Sequence, residues 1–133
     1  MTKLLLDTCT ILFLSTDDAR ITPGVKQIFM ECEEVFVSAI TVAELACLSR
    51  TGKIVLGTHW KPWFREAVKV NQWQVLPVTL EVMEEAYSLP DSFHADPADR
   101  IFVATSRIHR MPLLTTDRKI LAYPHVEAFW ERS

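Results

Sequence analysis

The amino-acid sequence predicts an α/β fold of three α/β/α layers, with a central, mostly parallel sheet of short strands. Two patterns carry this prediction. Short apolar runs recur along the chain, as expected of strands buried on both faces, and segments with helical spacing lie between them. Strands that alternate with helices pair in parallel and are covered on both sides. Size and composition agree. The chain has 133 residues, 49% hydrophobic and 23% charged, which fits a single globular domain over 1–133. Such a domain buries a core without disulfide or metal staples.

The elements follow in order. Lys3–Leu6 is a strand, apolar through Leu4-Leu5-Leu6, that ends at Asp7, and Thr8–Leu14 continues as a helix. A loop with Asp17-Asp18 and Thr22-Pro23-Gly24 leads to a helix over Val25–Cys32, where Val25, Ile28 and Phe29 share a face. Val35-Phe36-Val37 is the second strand. Thr41 opens a helix that Gly52 stops, and His59–Val70 is another, with Pro62 in its first turn. Trp73–Val78 is the third strand, placed at an edge or ended by Pro77. Thr79 caps a helix whose apolar face is Val82, Met83, Ala86 and Leu89. After a loop, Asp96-Pro97 starts a helix to about Arg110, with Asp as N-cap and Pro at the first helical position. Leu113-Leu114-Thr115 is the fourth strand, a helical turn runs from Asp117 to Leu121, and Val126–Trp130 is a final strand.

Several classes are set aside. No apolar run approaches the roughly 18 residues of a membrane span, and Leu4-Leu5-Leu6 is too short for a signal peptide. A cytoplasmic protein without membrane contact is expected. Cys9, Cys32 and Cys47 form neither a Cys-x-x-Cys pair nor zinc-finger spacing, and read as reduced thiols. The net charge of −3 does not by itself suggest a nucleic-acid binder. Acidic metal ligands, however, offset basic residues in that sum.

Four acids share one kind of location. Asp7 follows the first strand, Glu44 lies in the first turn of the helix after the second, Asp99 lies in the first turn of the Asp96-Pro97 helix, and Asp117 follows the fourth strand. In an open parallel sheet these points gather at the carboxyl edge, where ligands bind. Each acid also has a structural reading. Thr41-x-x-Glu44 has the form of a capping box, and Asp7 and Asp117 suit N-caps. Carboxylates gathered in one crevice repel one another until a cation joins them, and an all-oxygen set suits Mg²⁺ or Mn²⁺. Such a centre hydrolyses phosphodiesters by activating water and stabilising the leaving 3′-oxygen, the latter through a second ion about 4 Å away. Asp7, Asp99 and Asp117 are then ligands, direct or through water. Glu44 is either a ligand or the group that orients the attacking water.

Four segments carry a resemblance: Leu4-Leu5-Leu6-Asp7-Thr8, Ser38-Ala39-Ile40-Thr41-Val42-Ala43-Glu44-Leu45, His94-Ala95-Asp96-Pro97-Ala98-Asp99-Arg100-Ile101 and Leu113-Leu114-Thr115-Thr116-Asp117. In order and spacing, across nearly the whole chain, they resemble PIN-domain proteins of the VapC type, the toxins of toxin–antitoxin pairs. The resemblance implies a PIN-like fold and places that family's acidic quartet on Asp7, Glu44, Asp99 and Asp117, with a small hydroxyl residue at Thr8. It further implies a Mg²⁺- or Mn²⁺-dependent RNA endonuclease, a homodimer, and inhibition by a cognate antitoxin.

Other residues near these motifs have two readings each. Asp96 is an N-cap that also adds charge to the site. His94 is an exposed loop residue or a contact to phosphate or a ligand, and Thr115 is a supporting residue or a substrate contact. Arg100 and Arg107 share a helix face and, with Arg110, Arg118 and Lys119, outline a path for RNA phosphates; Arg50, Lys53, Lys61, Arg65 and Lys69 form a second basic group. The alternative for both groups is an ordinary solvated face. Trp60, Trp63 and Trp73 have three readings, stacking on unpaired bases, core and protein interface, and the interface is preferred. Cys9 has no histidine partner nearby in sequence and is set aside as a nucleophile.

Two other functions compete. One is a non-catalytic PIN-like RNA-binding or scaffold protein, which has no need of all four acids. The other is a small phosphatase or receiver domain. The phosphatase wants a second aspartate where Cys9 stands; the receiver wants an acidic pair and a late lysine, and neither pattern is present.

Overall fold

A computed structural model of the chain describes residues 2–131. The elements are β1 (Lys3–Leu6), α1 (Thr8–Ser15), α2 (Pro23–Glu31), β2 (Glu34–Ser38), α3 (Ile40–Arg50), α4 (Trp60–Asn71), β3 (Gln74–Leu76), α5 (Leu80–Ala86), α6 (Pro97–His109), β4 (Leu113–Leu114), α7 (Arg118–Leu121) and β5 (Ala128–Phe129). The strands form one sheet in the order β3-β2-β1-β4-β5, and all four pairings are parallel.

Alternation along the strands builds the three layers. Leu4, Leu6, Val37 and Leu114 face one side, where they meet Ile11 of α1, Val25 and Ile28 of α2, Leu45 of α3 and Phe64 of α4. Leu5, Phe36 and Leu113 face the other side, against Ala98, Phe102 and Val103 of α6 and Ile120 of α7. Val82 and Ala86 of α5 pack on Ile101 and Ala104 of α6. Leu4, Leu5 and Leu6 are wholly buried. Each such side chain contributes about 1.5–3 kcal/mol, so β1 is firmly held and fixes the position of Asp7 at its end.

Three expectations need correction. The third strand is only Gln74–Leu76, at the sheet edge, so Trp73 falls outside it. Trp73 turns into the core beside Leu4 and Phe64, and Trp60 and Trp63 pack partly buried against the same cluster. The interface assignment therefore fails for Trp73, whose apolar ring is buried in the hydrophobic core. Second, β5 is Ala128–Phe129, shorter than Val126–Trp130, because its pairing with β4 spans two residues.

The third correction bears on function. Helix α3 begins at Ile40, and its N-cap, Ala39, makes no side-chain capping bond. Ser38 Oγ takes the Ile40 N–H at 3.1 Å. Thr41 is therefore already the second helical residue, and Glu44 lies beyond the first turn. The expected capping box does not form, because its two residues stand too far into the helix to serve the unpaired amides.

Candidate active site

From β1 the chain moves outward through β2 and β3, then returns to the other side of β1 as β4 and β5. The order of strands switches between β1 and β4. A crevice opens at the carboxyl edge of such a switch. Asp7 is the residue after β1, and Asp117 is the third residue after β4. Glu44 comes from α3 and Asp99 from the first turn of α6.

Asp7 is almost wholly buried, at 5% exposure. It caps α1: Oδ1 accepts from the Thr10 amide at 2.9 Å and the Thr10 hydroxyl at 2.7 Å. Oδ2 accepts from Thr115 Oγ1 at 2.5 Å. The Thr115 oxygen accepts in turn from the Asp117 amide at 3.0 Å, and Asp117 Oδ1 caps α7 through the Ile120 amide at 3.0 Å. Thr115 thus ties the two aspartates across the switch. Glu44 Oε1 lies 2.5 Å from Thr8 Oγ1, which is 3.0 Å from Thr41 Oγ1. Asp96 caps α6 through the Ala98 and Asp99 amides at 2.9 and 3.3 Å. The capping readings of Asp7, Asp96 and Asp117 therefore hold. They do not exclude a ligand role, since Asp7 Oδ2 accepts a single bond and the caps of Asp96 and Asp117 use only Oδ1.

The electrostatics show that these acids form one group. Burial pushes the Asp99 carboxyl up to about 7, and the charges of Asp96, Asp117, Glu44 and Asp7 push the same way. Burial also raises Glu44, against the Thr8 hydrogen bond, with Asp96 and Asp7 adding to the rise. Asp7 is raised by burial and by Asp117, against the hydrogen bonds from Thr115 and Thr10. The quartet is thus close enough to interact, and Asp96 adds its charge to the group.

His94 joins this cluster. Its Nε2 lies 3.1 Å from Asp99 Oδ2, and ligand atoms of His94, Asp99 and Asp117 all fall within 4.8 Å of one another. That nitrogen is buried without an aligned hydrogen bond. A buried nitrogen without an aligned hydrogen bond, beside an Asp99 carboxyl that resists ionisation, is what a divalent cation would satisfy, so the residues fit the metal that the fold implies. An open cavity of about 590 Å³ lies over them, lined also by Arg118 and Lys119.

The basic residues divide. Arg100 donates to Ala86 O at 2.9 Å and Phe93 O at 2.8 Å, which clasps the loop that carries His94. Arg107 donates to His125 O at 2.6 Å. The phosphate path expected of these two gives way to a structural role, because their guanidinium groups already serve buried carbonyls. The side chains of Arg118 and Lys119 are exposed and make no hydrogen bond or ion pair among the described residues. Arg50, Lys53, Lys61, Arg65 and Lys69 are all exposed on or beside α3 and α4. Cys9 is pushed up to about 11 by burial and by the charges of Asp7, Glu44, Asp99 and Asp117, so its thiol is a poor nucleophile. Thr10 had no place in the sequence reading; its only signal was a threonine at the third helical position after a capping aspartate.

Comparison with known proteins agrees with this arrangement. The family model of the PIN domain matches residues 4–126. The chain is 31% identical over 125 residues to Ribonuclease VapC22 of Mycobacterium tuberculosis, covering 94% of this chain and 95% of that one. Its fold is similar to DNA-bound VapBC from Salmonella typhimurium, with TM-score 0.72 and 16% identity over 97% and 98% of the two chains. It is also similar to a toxin-antitoxin complex from Klebsiella pneumoniae, with TM-score 0.61 and 16% identity over 95% of each chain.

Proposed function

The chain belongs to the PIN domain family, and on that premise we propose that it is a Mg²⁺- or Mn²⁺-dependent endoribonuclease, the toxin of a toxin–antitoxin pair. The observation that carries the reading is the gathering of Asp7, Glu44, Asp99 and Asp117 at the sheet's switch point, where burial first, and then the charges of Asp96 and the other three acids, hold Asp99 at about 7. A carboxylate serving only as a cap or surface charge gains nothing from such neighbours. The 31% identity to a ribonuclease supports the same reading.

Asp7, Asp99 and Asp117 would hold the cation, and Glu44 would hold it or orient the attacking water. When bound, a divalent ion neutralises the cluster and supplies Lewis acidity at phosphorus. The chain's own residues do the rest. Thr10 and Thr115 fix both oxygens of Asp7, and Asp117 is fixed by its cap. Arg118 and Lys119, on the cavity rim, would take flanking RNA phosphates. The partners are then an RNA substrate, a cognate antitoxin and a second copy of the chain, and the site of action is the cytosol. No helix among the described residues is long and apolar enough to cross a membrane.

The test is incubation of purified protein with a panel of structured RNAs in Mg²⁺, Mn²⁺ or EDTA. Cleavage that needs the metal supports the proposal. Cleavage unaffected by EDTA would overturn the metal-dependent mechanism, and no cleavage in any condition would favour the non-catalytic scaffold.

A further inference from the structure

We propose that Thr8 and Thr41 form a buried hydroxyl chain that positions Glu44 in the active site. The proposal rests on the ribonuclease reading for what Glu44 does, but not for how it is held.

The first observation is a cap that is not made. Thr and Glu three residues apart suit the start of a helix, yet α3 starts at Ile40 with no side-chain cap. Both side chains are used elsewhere. Thr41 is fully buried and Thr8 is 3% exposed, so no water competes for their hydroxyls. They lie 3.0 Å apart, and Thr8 lies 2.5 Å from Glu44 Oε1. Residues 33 and 36 positions apart are brought into one line.

Proton counting gives this line a direction. A carboxylate only accepts, and each hydroxyl has one proton. The Thr8 proton therefore goes to Glu44, and the Thr8–Thr41 contact is completed by the Thr41 proton. Oε1 of Glu44 is occupied, which leaves Oε2 for water or cation. Without Thr8, the charges of Asp7 and Asp96 would drive Glu44 toward solvent. Valine is close to threonine in shape but has no hydroxyl, so it would occupy either position without reaching Glu44. The hydroxyls are needed only if Glu44 must be aimed.

The test uses the full chain with Thr8→Val, Thr8→Ser, Thr41→Val, Thr41→Ser and Glu44→Gln. Mn²⁺ affinity is read by electron paramagnetic resonance with the metal alone, kcat and KM on a cleaved RNA, and thermal melting as a control for folding. Thr8→Val is expected to lower kcat about tenfold or more and to weaken Mn²⁺ binding, with KM moved by less than about threefold. Thr41→Val acts in the same direction by about threefold. Serine restores both positions, and Thr8→Val adds nothing in the Glu44→Gln background. Losses that add to Glu44→Gln, or that serine does not rescue, or unchanged Mn²⁺ affinity and kcat in Thr8→Val, would overturn the proposal. Coupling of Thr8 to Glu44 in Mn²⁺ binding without RNA cleavage by the natural protein would support the hydroxyl chain and sink the ribonuclease reading. Cleavage with additive losses does the reverse.

Discussion

Replacement of Asp99 by Asn is expected to stabilise the metal-free protein at pH 8. Asp99 sits in the first turn of α6, where a helix dipole favours a negative charge and a merely structural acid would be an asset. Its neighbours reverse this. The carboxyl is raised from 3.8 to about 7 by burial and by Asp96, Asp117, Glu44 and Asp7. Each pKa unit is about 1.4 kcal/mol, which gives roughly 4 kcal/mol before screening. The site is open to water on one side, and halving the figure leaves about 2 kcal/mol. The folded-state value lies above the unfolded one, so the native protein is favoured while Asp99 keeps its proton. That stability is fully present below pH 4 and is lost as pH rises toward 7. Asn mimics the protonated form at every pH. The variant should therefore melt about 5–8 °C above the natural protein at pH 8 in EDTA, with the gap closing toward pH 4. Circular dichroism melts at the two pH values measure this. An Asp99→Asn protein that melts at or below the natural one at pH 8 would show that neither burial nor the neighbouring acids disfavour the Asp99 charge, and the metal-site reasoning would fall.

Two further outcomes follow from the basic residues. Replacing Arg118 and Lys119 with Ala should raise KM for RNA and make the dependence of log affinity on log salt shallower by about 1–2, measured by filter binding across a salt series. Replacing Arg100 with Ala should destabilise the fold by about 2–3 kcal/mol in urea, since Ala86 O and Phe93 O lose their charged donor, while leaving the salt slope unchanged.

Much of the fold was legible because β1, β2 and α6 state themselves locally. Leu4-Leu5-Leu6 is wholly apolar, and Asp96-Pro97 marks a helix start that the structure reproduces. The extent of the third strand was not legible, because Trp73 and Val78 look like strand residues from pattern alone. Only three-dimensional pairing shows that β3 stops at Leu76 and that Trp73 is core. The start of α3 was misread because the helix begins at Ile40, whose amide Ser38 satisfies, so Thr41 is already inside it. Charge patterning on α6 could not separate an RNA path from a clasp. Arg100 and Arg107 reach carbonyls 7 to 18 residues away. At the site, topology brought the quartet to one edge as the strand-end positions implied. The threonines that hold it carry no periodic signal, since Thr115 meets Asp7 across 108 residues.

The central claim is that the quartet is a metal-dependent nuclease centre. Its most direct test is the single-turnover rate of RNA cleavage in Mn²⁺ by Asp7→Asn and Asp99→Asn, each shown to be folded. Asn keeps the cap that Asp7 provides, so lost activity cannot be charged to an unravelled α1. The account predicts a loss of about a thousandfold or more in both variants, the scale of removing a group that stabilises transition-state charge. Cleavage within about tenfold of the natural protein in either variant would contradict it.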